Sequence, residues 1–115
     1  MMFLKKIPTT MITKKVDAKK REFKNVSFDV LATGEKSMVT KMNYKIGDIV
    51  PLHSHPNEQS GYVISGKYRI IYQEIDEILT AGDSYSIPEN IPHSWEVIEA
   101  GEAIDVFTPP RQDYL

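Results

Sequence analysis

The sequence contains only three histidines, and two of them stand at alternate positions in the segment HSHPNEQSGYVISG. If this segment is extended, His53 and His55 point to the same side of the strand and can share one metal ion. His93 follows a loop stiffened by prolines, IPENIP, and is the one other imidazole available. The chain has no Cys, so nitrogen and oxygen groups must supply the ligands. These residue types predict a metal site.

The elements that position these histidines are predicted to be strands. From about Val26 onward, short β-branched and aromatic runs are broken by Gly, Pro, Asn and Asp, with no sustained helical period. We expect eight to ten strands, as in a sandwich or small barrel. The segments GDIVPLHSH and GDSYSIPENIPH resemble each other, and each leads from Gly-Asp through a strand and a proline to histidine. This likeness fits a jelly roll whose two halves place corresponding strands opposite each other.

Two spacing patterns link the histidines to glycines and other residues. The first joins Gly47, His53, His55, Gln59 and Gly66, and the second joins Gly82, Pro88, Asn90, His93 and Val97. They resemble the two motifs of the cupins, G-x5-H-x-H-x3,4-E-x6-G and G-x5-P-x-G-x2-H-x3-N. The chain departs from those motifs at Gln59, Asn90 and Val97. Asn tolerates the left-handed backbone that Gly often supplies, and Val97 replaces a residue that is not a ligand.

The resemblance to a single-domain cupin implies an all-β fold, the cupin double-stranded β-helix or jelly-roll barrel. On this basis the chain divides into a basic N-terminal arm, residues 1–25, and a cupin domain, residues 26–115. The implied metal ligands are His53, His55, Gln59 and His93. The metal is a single divalent transition ion, for which Fe, Mn, Ni, Co and Zn all suit histidine nitrogen and amide oxygen.

Gln59 changes the charge of the predicted site, because the family motif has Glu at this position. Three neutral imidazoles and an amide leave the charge of a divalent ion uncompensated, so the site should attract an anion. Glu58 is an alternative ligand. It points to the opposite strand face from Gln59, however, and its spacing misses the motif by one residue.

The segments HSHPNEQ, IPHSWE and DVFTPPRQDYL together resemble the small cupins of pectin and alginate breakdown. Members of that group open unsaturated uronate rings into linear keto acids and use a site of three His and one Gln. The resemblance implies that Asp105, Phe107 and Arg111 surround the substrate. In these roles Asp105 transfers a proton, Phe107 forms a wall and Arg111 clamps a carboxylate with two hydrogen bonds.

Other interpretations of the same residues stay open. Phe107 could belong to the core, Asp105 could be a satisfied structural carboxylate, and Arg111 could form a surface salt bridge. The protein could instead be a metal-dependent dioxygenase, or a sugar-binding module without catalysis. Candidate lining residues with no assigned role are Tyr62, Tyr85 and Trp95.

The formal net charge of −2 hides an asymmetry, because residues 1–24 hold eight basic residues against two acidic ones. Nucleic acid is not the expected partner, since this arm has few aromatic residues and no recognition-helix pattern. The charge of the arm complements an acidic body, either that of its own chain or that of a second subunit, and we expect a homodimer.

No apolar run is long enough for a membrane span and no secretion signal is evident, so we expect a cytoplasmic protein. We expect it to act on a small, anionic molecule.

Overall fold

Ten antiparallel strands dominate residues 11–115, the part of the chain that the computed structural model describes. The strands are β1 (Lys19–Phe23), β2 (Val26–Thr33), β3 (Met38–Tyr44), β4 (Ile49–His53), β5 (Glu58–Val63), β6 (Lys67–Tyr72), β7 (Ile75–Thr80), β8 (Ser84–Ile87), β9 (His93–Glu99) and β10 (Gly101–Thr108). Two short 3₁₀ helices, Lys15–Asp17 and Gln112–Tyr114, flank them. The predicted all-β class is confirmed, and the described strand count falls within the expected range.

The strands form two sheets that face each other. One has the order β1-β2-β3-β10-β5-β8, and the other has the order β4-β9-β6-β7. Strands distant in sequence are therefore neighbours in space, as a jelly roll requires. This order brings β4, which ends in the first histidine motif, directly beside β9, which begins in the second.

Alternation along the central strands decides which side chains enter the space between the sheets. In β3 the buried residues are Met38, Thr40, Met42 and Tyr44, and the residues between them are only partly buried. β9 and β10 show the same period of two. The core is apolar apart from a few polar residues, and its largest fully buried side chains include Tyr68, Phe28 and Phe107.

The two Gly-Asp segments form matching turns. Gly47 and Gly82 adopt positive φ angles of 83° and 93°, where a residue with a Cβ would be strained. In each turn the following aspartate accepts a hydrogen bond from a backbone N–H three residues earlier, at 2.8 Å for Asp48 and 2.7 Å for Asp83. The likeness of the two segments in sequence thus corresponds to a likeness of local structure.

The described part of the basic segment joins the larger sheet of its own chain. β1 pairs with β2 over five residues, from Lys19 opposite Val30 to Phe23 opposite Val26. Lys20 donates to the carboxylate of Asp29 at 2.8 Å, so part of the basic charge is balanced within the same chain. No helix in residues 11–115 has the length and apolar character that crossing a membrane would need.

Candidate metal centre and surrounding cavity

The three histidines meet where β4 and β9 pair. His53, the last residue of β4, lies opposite His93, the first residue of β9, and their ring centroids are 4.4 Å apart. The His55 ring lies 5.6 Å from that of His53 and 5.0 Å from that of His93. One ring nitrogen from each histidine lies within 4.8 Å of the others, close enough for all three to bind one ion.

The backbone around His55 differs from the sequence prediction, which placed it on the same strand as His53. β4 ends at His53, and His55 lies in the following loop. Pro56 has no N–H to continue a ladder of hydrogen bonds, which favours ending the strand here. The loop is instead tied to the second motif, because Asn90 donates its backbone N–H to the His55 carbonyl at 2.8 Å. Asn90 has a φ of 63°, the left-handed conformation expected where the family motif has Gly.

Each histidine is oriented by a hydrogen bond between its Nδ1 and a backbone carbonyl. The partners are Pro51 for His53 at 3.0 Å, Asn57 for His55 at 2.9 Å and Ile91 for His93 at 2.8 Å. A carbonyl only accepts, so each Nδ1 carries the proton and each Nε2 keeps a free lone pair. Metal-binding histidines are held in this way by their second nitrogen.

Burial favours the neutral form of these imidazoles. It lowers the pKa of His53, His55 and His93, and the hydrogen bonds to backbone carbonyls only partly oppose that effect. A neutral imidazole is the form that binds a metal. The donor set therefore fits a divalent transition ion, both in its chemistry and in the spacing of its ring nitrogens.

Gln59 bridges the histidines and a buried carboxylate. Its Oε1 lies 3.1 Å from Nε2 of His55, and its side chain also hydrogen-bonds Asp105. The Asp105 carboxylate accepts, so the amide NH₂ must face it and the amide oxygen must face the histidines. A cation between them would satisfy this oxygen and the lone pair of His55 Nε2 together. Glu58 is exposed, as expected for the opposite strand face.

Asp105 is buried beside this group, with only 1% of its surface exposed. Burial raises its pKa to about 6, although the hydrogen bonds from Tyr85 and Gln59 and the charge of Arg111 act in the opposite direction. Burial also raises the pKa of Tyr85 well above its usual value, so its hydroxyl stays protonated and donates to Asp105.

Gly61 makes the contact between Tyr85 and Asp105 possible. It lies on β5 directly between them, opposite Tyr85 on β8 and opposite Asp105 on β10. A Cβ added at Gly61 would overlap the Tyr85 ring. The missing side chain therefore lets the tyrosine reach across β5 to the aspartate. From the sequence, Tyr85 was only an unassigned lining residue, and Gly61 was not singled out, although a glycine inside a strand is a signal of close approach.

Phe107 and Arg111 lie beside the histidines, and both are buried. The Phe107 ring contacts the His55 ring with their centroids 5.7 Å apart. The Arg111 guanidinium carbon lies 4.1 Å from the ring centroid of Tyr114 and 5.1 Å from that of Phe23. Arg111 is thus not the exposed surface residue considered as an alternative, and the aromatic contacts fix its orientation.

Arg111 already has an anionic partner. Its Nε and Nη2 donate to the two carboxylate oxygens of Asp113 at 3.2 and 2.7 Å, and its Nη1 donates to the Tyr114 hydroxyl at 2.9 Å. Within the described residues, these bonds occupy three of the five N–H groups of the guanidinium. Two donors are left for another acceptor, and Asp113 was not anticipated from the sequence.

One cavity connects these groups. It is lined by Phe23, Met42, Tyr44, Val50, His53, Gln59, Ile87, His93, Trp95, Asp105, Phe107, Arg111 and Tyr114. Its volume is about 30 Å³, which is enough for an ion and a water-sized group but not for a sugar ring. Side chains around the cavity must therefore shift if a ring binds. Of the predicted site residues, only His55 is not part of the lining, although its ring contacts His53 and Phe107.

A jelly roll with three histidines at the junction of its two motifs defines a class of protein. Residues 40–107, more than half of the chain, match the Cupin domain family, and the protein therefore belongs to the cupins. The family predicted from the motif spacing is confirmed.

Individual relatives narrow the resemblance. The chain is 28% identical over 88 residues to the pectin degradation protein KdgF of Dickeya dadantii (strain 3937), an alignment covering 75% of this chain and 80% of that protein. It superposes on an RmlC-like cupin from Shewanella frigidimarina NCIMB 400 with a TM-score of 0.85 at 23% identity, covering 93% and 97% of the two chains. KdgF from Halomonas sp. gives a TM-score of 0.81 at 21% identity, covering 90% and 99%. These two structures show the fold, and the Dickeya protein confirms the likeness to a pectin-degradation cupin.

Proposed function

We propose that this protein binds one divalent transition metal and opens the ring of a small unsaturated uronate. Its proposed ligands are His53, His55, Gln59 and His93. The observation that carries the proposal is that three imidazoles, each oriented through Nδ1, bring one ring nitrogen apiece to within 4.8 Å of the others, with the Gln59 amide oxygen beside His55. Fe, Mn, Ni, Co and Zn all accept such a donor set.

When bound, the metal would supply Lewis-acid polarisation of a substrate oxygen. Asp105 is the proposed proton-transfer residue, because it is the buried carboxylate of the cavity and is held by Tyr85 and Gln59. It takes the proton of the ring hemiacetal hydroxyl while the ring C–O bond breaks. Breaking this bond leaves an enolate, and Asp105 returns the same proton to the enolate carbon to give a ketone, so no atom is gained or lost. Phe107 forms a wall of the cavity beside His55.

Arg111 is proposed to hold the substrate carboxylate. Two of its N–H groups are not used by Asp113 and Tyr114, and they can donate to an anion in the cavity. The three neutral imidazoles and the neutral Gln59 leave a bound divalent ion with its full positive charge, which favours the same anion. Both features support an acidic substrate over a neutral sugar.

The substrate class is supported by two independent facts. The Dickeya relative is named as a pectin degradation protein, and pectin is built of uronates. The three residues that the resemblance places around the substrate, Asp105, Phe107 and Arg111, all line the cavity that the histidines share. If these three residues had only structural roles, they would not all need to line the cavity that the histidines share.

Turnover of an unsaturated galacturonate, released by a pectin lyase digest, tests the proposal. We expect metal-loaded protein to remove the ultraviolet absorbance of the unsaturated ring and to give a linear keto acid by NMR. Chelation should abolish the activity, and adding the metal back should restore it. Absence of turnover with each of the five candidate metals would contradict the proposal, and oxygen uptake during the assay would indicate a dioxygenase.

Three variants sharpen this assay. Asp105→Asn should lose turnover while its metal content, measured by elemental analysis, stays close to that of the wild type. Arg111→Ala should raise KM for the uronate by about ten- to a hundredfold, the usual effect of losing a charge-assisted contact. Glu58→Gln is the matched control, because Glu58 is exposed and adjacent to a proposed ligand, and it should behave like the wild type.

We also infer that the protein is a cytoplasmic homodimer in which the basic N-terminal segment contacts a second subunit. Lys19–Phe23 pair with β2 of their own chain, so the proposed contact with a partner is assigned to the residues before β1. Lys14 and Lys15 are exposed in this segment. Their charge is opposite to that of the acidic body, which supports association between subunits.

A further inference from the structure

Trp95 lines the cavity, on the same strand face as a proposed metal ligand. It is two residues after His93 on β9, so both side chains point between the sheets. Trp95 is buried, with 6% of its surface exposed, and it lines the cavity together with His53, Gln59 and Asp105. Its position is therefore inside the proposed site rather than in a separate part of the core.

The Trp95 ring is fixed by three tyrosines. It stacks on Tyr44 and Tyr68 at interplanar angles of 28°, with centroid distances of 5.8 and 5.1 Å. Tyr85, which donates to Asp105, contacts the ring with the centroids 5.1 Å apart. The indole thus has a defined orientation close to the residues that would do the chemistry.

The indole N–H of Trp95 lacks a hydrogen-bond partner. Among the side chains of residues 11–115, its Nε1 is the one buried nitrogen or oxygen without an acceptor or donor. Indole nitrogen only donates, and burying a donor unpaired costs folding free energy. Phe would fill the same core position without that cost. Because Trp95 also lines the cavity, a ligand whose entry shifts the lining side chains can bring the missing acceptor.

Charge decides which part of a sugar acid this donor can meet. Asp105 is held by Tyr85, whose ring touches Trp95, so a second carboxylate near Trp95 would face a carboxyl group. Arg111 packs against Phe23 and Tyr114, whereas the rings stacked or tilted on Trp95 are those of Tyr44, Tyr68 and Tyr85, so the positive charge lies on the Phe23–Tyr114 side. The carboxylate therefore belongs near Arg111, and an uncharged oxygen belongs near Trp95.

We propose that Trp95 is a specificity-determining residue whose indole N–H donates a hydrogen bond to a hydroxyl or ring oxygen of the bound sugar acid. This inference rests on the proposed function, which identifies the sugar acid. It adds a second polar anchor, so that the ligand is recognised as a hydroxylated carboxylate and not by its charge alone.

The sequence contains a single Trp, so one indole N–H signal reports on this contact in a ¹⁵N-labelled sample. Zinc-loaded protein is titrated with D-galacturonate and, separately, with cyclohexanecarboxylate, which has a ring and a carboxylate but no hydroxyl. We expect galacturonate to move the indole signal downfield and cyclohexanecarboxylate to leave it in place. Equal shifts with both ligands, or no shift while the protein turns over unsaturated galacturonate, would overturn the inference.

Trp95→Phe gives an independent measurement, since it keeps an aromatic ring and removes only the donor. It should raise KM for unsaturated galacturonate about two- to tenfold, as expected for one lost neutral hydrogen bond, with unchanged metal content. Tyr68→Phe is the control for disturbance of the aromatic cluster, because the Tyr68 hydroxyl bonds Ser65 and does not line the cavity. Unchanged KM in Trp95→Phe would overturn the inference and leave the proposed function standing. If wild-type protein neither turns over uronates nor binds galacturonate, the proposed function fails and the inference fails with it.

Discussion

Gln59 has a role that the Glu of the family motif could not fill in the same surroundings. Its amide group donates to Asp105 while its oxygen faces His55. A carboxylate at this position has no proton to donate and would place a second negative charge beside Asp105. Gln at position 59, where the family motif has Glu, therefore matches the buried carboxylate of Asp105 to which it donates.

This arrangement predicts the effect of Gln59→Glu. The variant should still bind metal, because a carboxylate is also a good ligand, but it should lower kcat/KM for an unsaturated uronate by about tenfold or more. The reasons are the loss of a hydrogen bond to Asp105 and the added negative charge facing an anionic substrate. Elemental analysis and turnover are measured on the same preparation. The double variant His53→Ala/His93→Ala is the control that should lose its metal. If Gln59→Glu turns over the uronate with wild-type kinetics, the hydrogen bond from the Gln59 amide to Asp105 is not needed for activity.

At the scale of elements, three neighbouring strands place the Tyr85–Asp105 pair. β8, β5 and β10 lie side by side, with Gly61 at the crossing point. The contact of Tyr85 with Asp105, the proposed proton-transfer residue, therefore depends on a residue with no side chain. A glycine within a strand often marks such a close approach.

Gly61→Ala tests this dependence. Its methyl group would overlap the Tyr85 ring, so Tyr85 must move away from Asp105. We expect a loss of about 1 to 3 kcal/mol in the free energy of unfolding, measured with urea, and a large fall in turnover. Gly34→Ala is the matched control, because the nearest atom to a Cβ there lies 3.9 Å away. Wild-type turnover in Gly61→Ala would show that the Tyr85 contact is not needed.

The sequence was sufficient for the strands, because they follow from short-range patterns, and for the set of histidines, because the two motif spacings resemble those of the cupins. Spacing between Gly47 and Gly66 predicted the first motif, and alternation predicted that Glu58 and Gln59 face opposite sides of their strand. The path of the backbone at His55 was not predictable in the same way, since it depends on Asn90 from a distant loop. Phe23 also lines the cavity, although it falls in the segment classified as an arm. Its position follows from the pairing of β1 with β2, which the local sequence does not specify.

Arg111 shows a second feature of the site that could not be predicted from the sequence. The resemblance to the pectin and alginate cupins implied a carboxylate clamp at this position, and the structure buries the side chain at the cavity. Its pairing with Asp113 depends on the turn of the 3₁₀ helix, which the sequence analysis did not include. A substrate carboxylate must therefore share the guanidinium with Asp113 or displace it.

At the scale of the whole molecule, the distribution of charge predicts assembly. The basic residues before β1 are not needed to complete the described sheets, whereas β1 itself supplies Phe23 to the cavity. Association through these basic residues should depend on electrostatic attraction to the acidic body of a second subunit. Such attraction between exposed charges weakens as salt rises.

Light scattering on three forms of the chain tests the proposed dimer. We expect the full-length protein to be a dimer that dissociates more readily at high salt, and a chain beginning at Ala18, which keeps β1, to be a monomer with its metal content intact. A chain beginning at Lys24 should also be a monomer, but it should be less stable to urea because β2 loses its neighbour and the cavity loses Phe23. The difference between the two shortened chains separates the role of the basic residues from that of β1. A full-length protein that is monomeric at low salt would exclude the dimer, and a chain beginning at Ala18 that still dimerises would place the interface elsewhere.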